Sequence, residues 1–94
     1  MSDQVYPSTK GLSVYNMISL RRKDLSVAEI VADLREHFDP EITEQYVTDG
    51  VAFLTARSLA TEVDGVVTPK RPRQPDGKCW PLKRTNADAD LTWV

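Results

Sequence analysis

The chain has one cysteine, one histidine and only four glycines in 94 residues. A lone Cys79 excludes an internal disulfide and fits a reducing compartment. One Cys and one His, far apart in sequence, do not supply the matched ligand spacing of a zinc site. Nor do they make a convincing nucleophile and base, because Cys79 sits between Lys78 and Trp80 in an expected strand and His37 falls late in an expected helix. A glycine-rich phosphate loop is absent. These absences argue against an enzyme and leave no catalytic residue, metal ligand or cofactor to name. Also missing is any apolar run near the roughly 20 residues that a membrane span needs. The first ten residues, "MSDQVYPSTK", lack the basic and apolar regions of a secretory signal. A cytoplasmic protein without a membrane partner is expected.

What the chain does have is ordinary bulk composition and unusual charge order. Hydrophobic residues make up 40% and charged residues 28%, which places it among globular domains. Its length leaves room for one core. The net charge of −2 hides a strong partition. Residues 1–23 carry four Lys/Arg against one acid, and residues 24–64 carry two against ten. Residues 65–84 carry six against one, and residues 85–94 carry two acids alone. An acidic middle is therefore flanked by two basic stretches.

Apolar spacing locates the elements. Residues 11–22, "GLSVYNMISLRR", fit a short helix capped by Ser13; the alternation of Leu12 and Val14 fits a strand start, and the helix is preferred. "LSVAEIVADLREHFDP" carries the clearest signature. Ser26 followed by Glu29 is a capping box, Leu25 and Ile30 suit a hydrophobic staple, and Val27, Ile30, Val31, Leu34 and Phe38 form one stripe. Pro40 stops the helix. Asp39-Pro40 or Thr43 starts the next, with Val47, Val51 and Leu54 on its buried side. Gly50 there costs about 1 kcal/mol against Ala, and marks either close packing on a neighbour or a break. The helical reading runs on through Thr55 to Val63, with Asp64-Gly65 as its stop. Val66-Val67-Thr68 and Lys78–Leu82 then read as two strands of a hairpin around the turn Pro75-Asp76-Gly77, with prolines 69, 72 and 75 stiffening it. Phe38, Phe53, Tyr15 and Tyr46 are expected in the core or at its rim, and Trp80 over the core from the hairpin root. Trp93 either folds back on the core or packs on a second subunit.

This order of elements resembles the winged helix-turn-helix superfamily. "LSVAEIVADL" matches its second helix, "TEQYVTDGVAFLTARSLATEVDGVV" its third helix and exit, and "TPKRPRQPDGKCWPLKR" its wing. The fold expected is α+β and mostly α: three helices with a C-terminal β-hairpin wing over residues 12–84, a lead-in at 1–11 and a tail at 85–94. The resemblance implies a third helix in the major groove of double-stranded DNA, with Thr43, Gln45 and Thr48 toward the bases. It implies a wing on the backbone through Lys70, Arg71, Arg73 and Lys78, to which Lys83 and Arg84 add charge. Arg21, Arg22 and Lys23 form a second candidate phosphate clamp.

The expected function is a small DNA-binding regulator of transcription or replication, of bacterial or phage origin. A homodimer on a two-fold site would extend its limited single-module surface. One feature departs from the pattern. Recognition helices favour Arg, Lys, Asn and Gln, whereas this one begins with Glu41, Glu44 and Asp49. The alternative is therefore a winged-helix protein-interaction module, or a DNA-mimicking inhibitor, with its partner at the acidic helices.

Overall fold

A computed structural model describes residues 6–85 and 90–94. It is an α+β fold of three helices and two small antiparallel sheets.

Helix α1 spans Pro7–Leu20. It starts earlier than the sequence suggests because Pro7 occupies the first turn, where its missing N–H costs nothing. Its buried residues Ser8, Gly11, Val14, Tyr15, Met17 and Ile18 recur at helical spacing. Arg22, at φ 56°, turns the chain out of the helix. A two-residue strand β1, Leu25–Ser26, follows directly.

Helix α2 covers Val27–His37 and its capping box forms as read. The Glu29 N–H donates to Ser26 Oγ at 3.1 Å, and the Ser26 N–H donates to Glu29 Oε1 at 2.8 Å. Arg35 Nε reaches over the α2–α3 turn to the Ile42 carbonyl at 2.6 Å. Helix α3, Glu44–Ala56, is capped by Thr43, whose Oγ1 accepts from the Tyr46 N–H at 3.0 Å. Phe38, expected in the core, is instead 66% exposed: it lies beyond the last helical turn, where the chain leaves the packed face.

The helical reading of Thr55–Val63 is corrected. Helix α3 stops at Ala56, Ser58 takes φ 59°, and Ala60–Val63 is strand β2. Strand β3 is Val66–Pro69. Asp64 and Gly65, at φ 54° and 80°, are the tight turn of a β2–β3 hairpin and not a helix stop. Two consecutive positive-φ residues suit the right-handed twist of paired strands. β1 adds to the free edge of β3, pairing Leu25 with Val67, so the sheet order is β1-β3-β2.

The expected hairpin between residues 66–68 and 78–82 does not form. Val66–Pro69 pairs backward with β2, and the proline-rich 70–81 stretch, poor in ladder donors, runs as irregular chain. Its turn at Pro75-Asp76-Gly77 is present, with Gly77 at φ 90° and its N–H on the Gln74 carbonyl at 2.8 Å. A separate pair follows: β4, Leu82–Thr85, with β5, Asp90–Trp93. Trp93 thereby folds back, its ring edge-on to Tyr15 at 6.2 Å.

The tightest point of the core is where α1 crosses α3. A Cβ on Gly50 would lie 2.5 Å from the Lys10 carbonyl oxygen and 2.8 Å from Val14 Cγ2. Gly50 is therefore a packing requirement and not a break. Gly50→Ala should destabilise the fold by roughly 1–3 kcal/mol, the range for overpacking, despite alanine's better helix propensity. Urea denaturation reads this directly; an unchanged or higher midpoint would mean that the two helices separate easily.

Candidate functional site

The expected contact residues fall into three places. Gln45 and Thr48 lie on α3 and Thr43 caps it. The Thr43 hydroxyl is held by its capping bond, Gln45 Nε2 donates to Asp49 Oδ1 at 2.7 Å, and Thr48 Oγ1 donates to the Gln45 carbonyl at 3.1 Å. Asp49 faces sideways to α1, where Lys10 Nζ sits 3.0 Å from Oδ2. That contact and Gln45 hold its carboxyl below the usual range. Glu41 and Glu44 are exposed.

Around Thr48 the surface is a groove of about 310 Å³ lined by Val27, Thr48, Val51, Ala52, Thr55 and Glu62. The start of α2, the outer face of α3 and strand β2 frame it. Beyond it the β2–β3 hairpin exposes Val63 at its tip (67%), with Glu62 and Asp64 on either side. No Lys or Arg occurs in α3 or in residues 58–69; Arg57 lies between them. Arg57 is turned to Asp90 and stacks on Phe53 at 3.6 Å.

Arg21, Arg22 and Lys23 lie past the end of α1. Arg21 grips both oxygens of the buried Asp33, with Nε 2.8 Å from Oδ2. That pairing holds the Asp33 carboxyl below its ordinary range. Asp33, Glu36 and His37 bring ligand atoms within 4.8 Å of one another, but the guanidinium already takes the place a cation would fill. Arg22 is exposed and its stem packs against Gly77. Lys23 is exposed beside a hollow that also meets Glu29 and Asp33.

Lys70, Arg71, Arg73, Lys78, Lys83 and Arg84 follow β3 in the chain, and Lys70 lines a hollow with Thr55, Ser58, Ala60, Thr61 and Glu62 beside α3 and β2. Arg73 is not presented to solvent as a phosphate ligand. Its Nη1 donates to the Ile18 carbonyl at 3.0 Å and to the Gly77 carbonyl at 2.8 Å, and its Nη2 meets Asp24 at 3.0 Å. Arg73 thus satisfies a carbonyl near the C-terminus of α1 and pins the 73–79 loop there. Arg71 lies over the rings of Trp80 and Trp93. Trp80, expected over the core, is 38% exposed and lies outside the buried cluster. Lys70 and Lys83 are exposed and form no ion pair among the described residues; Arg84 is also exposed.

Cys79 is buried below this loop, its N–H on Ser19 Oγ at 3.1 Å. Burial pushes its thiol upward, against thiolate formation. Burial likewise raises Tyr15, whose hydroxyl donates to the Trp80 carbonyl.

Sequence reading missed the acidic hairpin tip. Its signal was present: Asp-Gly between β-branched residues is a hairpin signature, but the preceding helical pattern absorbed it. The chain matches no protein-family model, no curated protein and no solved structure.

Two substitutions separate structural cations from surface ones. Arg73→Ala should cost about 2–3 kcal/mol in urea denaturation, because charge-assisted bonds are lost and carbonyls are left unpaired, and lysine should not restore it. Asp33→Asn tests the second pair. A depressed folded pKa contributes stability above the unfolded value near 3.9 and loses it as pH falls through the folded value. The variant should be less stable than wild type at pH 7, and the gap should close as pH falls below the unfolded value and through the folded one.

Proposed function

We propose that this chain is a winged helix-turn-helix protein whose front docks a cationic protein surface instead of a DNA groove. The topology supports the fold reading: α1, β1, α2, α3, then a β2–β3 hairpin, with sheet order β1-β3-β2. In such a fold the third helix and the hairpin tip form one face.

The observation that carries the functional reading is the charge of that face. Its helix and hairpin contain no Lys or Arg, while Glu44, Glu62 and Asp64 are exposed on it. DNA affinity comes largely from neutralising phosphates, and these groups repel them. The groove beside them has an apolar floor of Val27, Val51 and Ala52. Exposed Val63 adds apolar area at the tip. An apolar centre ringed by carboxylates complements an amphipathic surface carrying Lys or Arg. Basic nucleic-acid-binding proteins belong to that class, so the face also suits a mimic of DNA charge.

The test is a triple charge reversal, Glu44→Lys, Glu62→Lys and Asp64→Lys, all at exposed positions. The wild-type front should not support duplex binding, whereas the triple variant should gain salt-dependent affinity for random duplex DNA by fluorescence anisotropy. The variant should also lose basic partners that wild type retains in low-salt affinity capture, and Val63→Asp should weaken their retention. Strong duplex binding by wild type that the reversal leaves unchanged, together with an unaltered set of captured proteins, would defeat the reading.

A further inference from the structure

Two large apolar side chains stand exposed where α1 passes α2. Leu20 ends α1 at 65% exposure, and Phe38 caps α2. Both are held by the main chain around them. The Phe38 N–H donates to the Leu34 carbonyl at 2.9 Å, and the Arg21 N–H, just after Leu20, donates to the Met17 carbonyl at 3.0 Å. The two side chains border one hollow of about 230 Å³, which Ser13, Asn16, Met17, Leu34 and His37 complete. Met17 and Leu34 are buried residues of the core, so the hollow opens onto it. The apolar stripe of α2 thus continues past the point where the chain's own helices cover it.

No Lys, Arg, Asp or Glu lines this hollow. The nearest charges in the chain are engaged: Arg21 is held by Asp33, and Glu36 Oε1 lies 3.7 Å from His37 Nε2. A two-fold contact lays a patch on its own copy, so a patch of one charge sign would meet its like, while an uncharged one carries no such cost. The patch also holds both halves of a fit. Phe38 stands out at the rim, the hollow lies beside it, and about 150 Å³ is enough to take a benzene ring. Interface cores share this makeup, with aromatic residues and methionine enriched and charge depleted. We propose that a second copy of the chain covers the patch, each Phe38 ring entering the other protomer's hollow with Leu20 packed alongside. Each protomer then gives residue 38 and receives it, as an isologous contact requires. Few residues take part, so the dimer belongs with the small, reversible interfaces. None of the residues lining this hollow lines the groove at the front, so the inference does not rest on the proposed function.

The test is sedimentation equilibrium of the full chain from about 1 µM to about 1 mM, the range of weak reversible affinities. The apparent mass should rise from the 10.6 kDa of one chain toward twice that value. The rise should persist at high salt, which screens charge pairs and not apolar contacts. Phe38→Asp should weaken the dimer about tenfold or more, since it sets a carboxylate against an apolar hollow. Leu20→Asp should weaken it as well. Amide shifts that move with chain concentration should centre on Ser13, Asn16, Leu20 and Phe38. Positions 20 and 38 are both exposed, so the variants should fold, and thermal melts check this. If Phe38→Asp melts early, Leu20→Asp carries the test. A chain that stays monomeric over the whole range would overturn the proposal. So would a dimer that salt dissolves, or one that the folded Asp variants leave at wild-type strength.

Discussion

The close crossing of α1 and α3 is the constraint on which the rest of the structure depends. Two glycines make it possible. Gly50 gives room to the α1 backbone at Lys10, and Gly11 gives room to the Phe53 ring, which a Cβ would meet at 2.8 Å. With the helices this close, Val14, Ile18, Val47 and Leu54 are fully enclosed and Tyr15 is nearly so. Such packing has little slack, since interiors are as dense as organic crystals. The position of α1 then fixes where its C-terminus points. Both the Arg73 loop and β1 are built on that end: the Ile18 carbonyl receives Arg73, and Leu25 enters the sheet five residues after Leu20.

The sheet follows from the same constraint. Two residues of β1 cannot hold a strand alone, yet Leu25 is almost wholly buried and aligned with Val67. It belongs to the buried cluster that also holds the core residues of the helices. The β2–β3 hairpin is therefore anchored at its root by the core, and its tip residue Val63 is exposed. The chain that leaves β3 begins beside α3, where Lys70 shares a hollow with Thr55 and Glu62, and then runs to the end of α1, where Arg73 is held.

How much of this is readable in the sequence depends on whether the signal is local. The capping box at Ser26 and Glu29, the stop at Pro40 and the Pro75-Gly77 turn are local, and each forms as read. Gly50 left two readings open, since only the neighbouring helix decides between packing and a break. The end of α3 was misread because Leu59 and Ala60 continue a helical apolar pattern; both are buried, but from a strand and its approach. Arg73 could not be distinguished from Lys70 by composition. Its partners are an aspartate 49 positions away and a carbonyl 55 positions away. Trp93 is another non-local case: its ring partners, Tyr15 and Arg71, come from distant parts of the chain.

The charge partition of the sequence gains a structural meaning from its ion pairs. Apart from the neighbouring His37–Glu36 contact, each described pair joins two different charge blocks: Lys10 with Asp49, Arg21 with Asp33, Arg73 with Asp24, and Arg57 with Asp90. The more exposed pairs, Lys10–Asp49 and Arg57–Asp90, are screened by solvent and contribute little against the much larger apolar term. What they do is choose. A basic block laid over another basic block leaves like charges facing, and an acidic middle closed by basic neighbours does not. The carboxylates outside these pairs include Glu44, Glu62 and Asp64, and the cations outside them include Lys70, in a hollow with Glu62, and Lys83 on β4. Which charges meet thus follows from the order of charge in the chain and the way its helices cross.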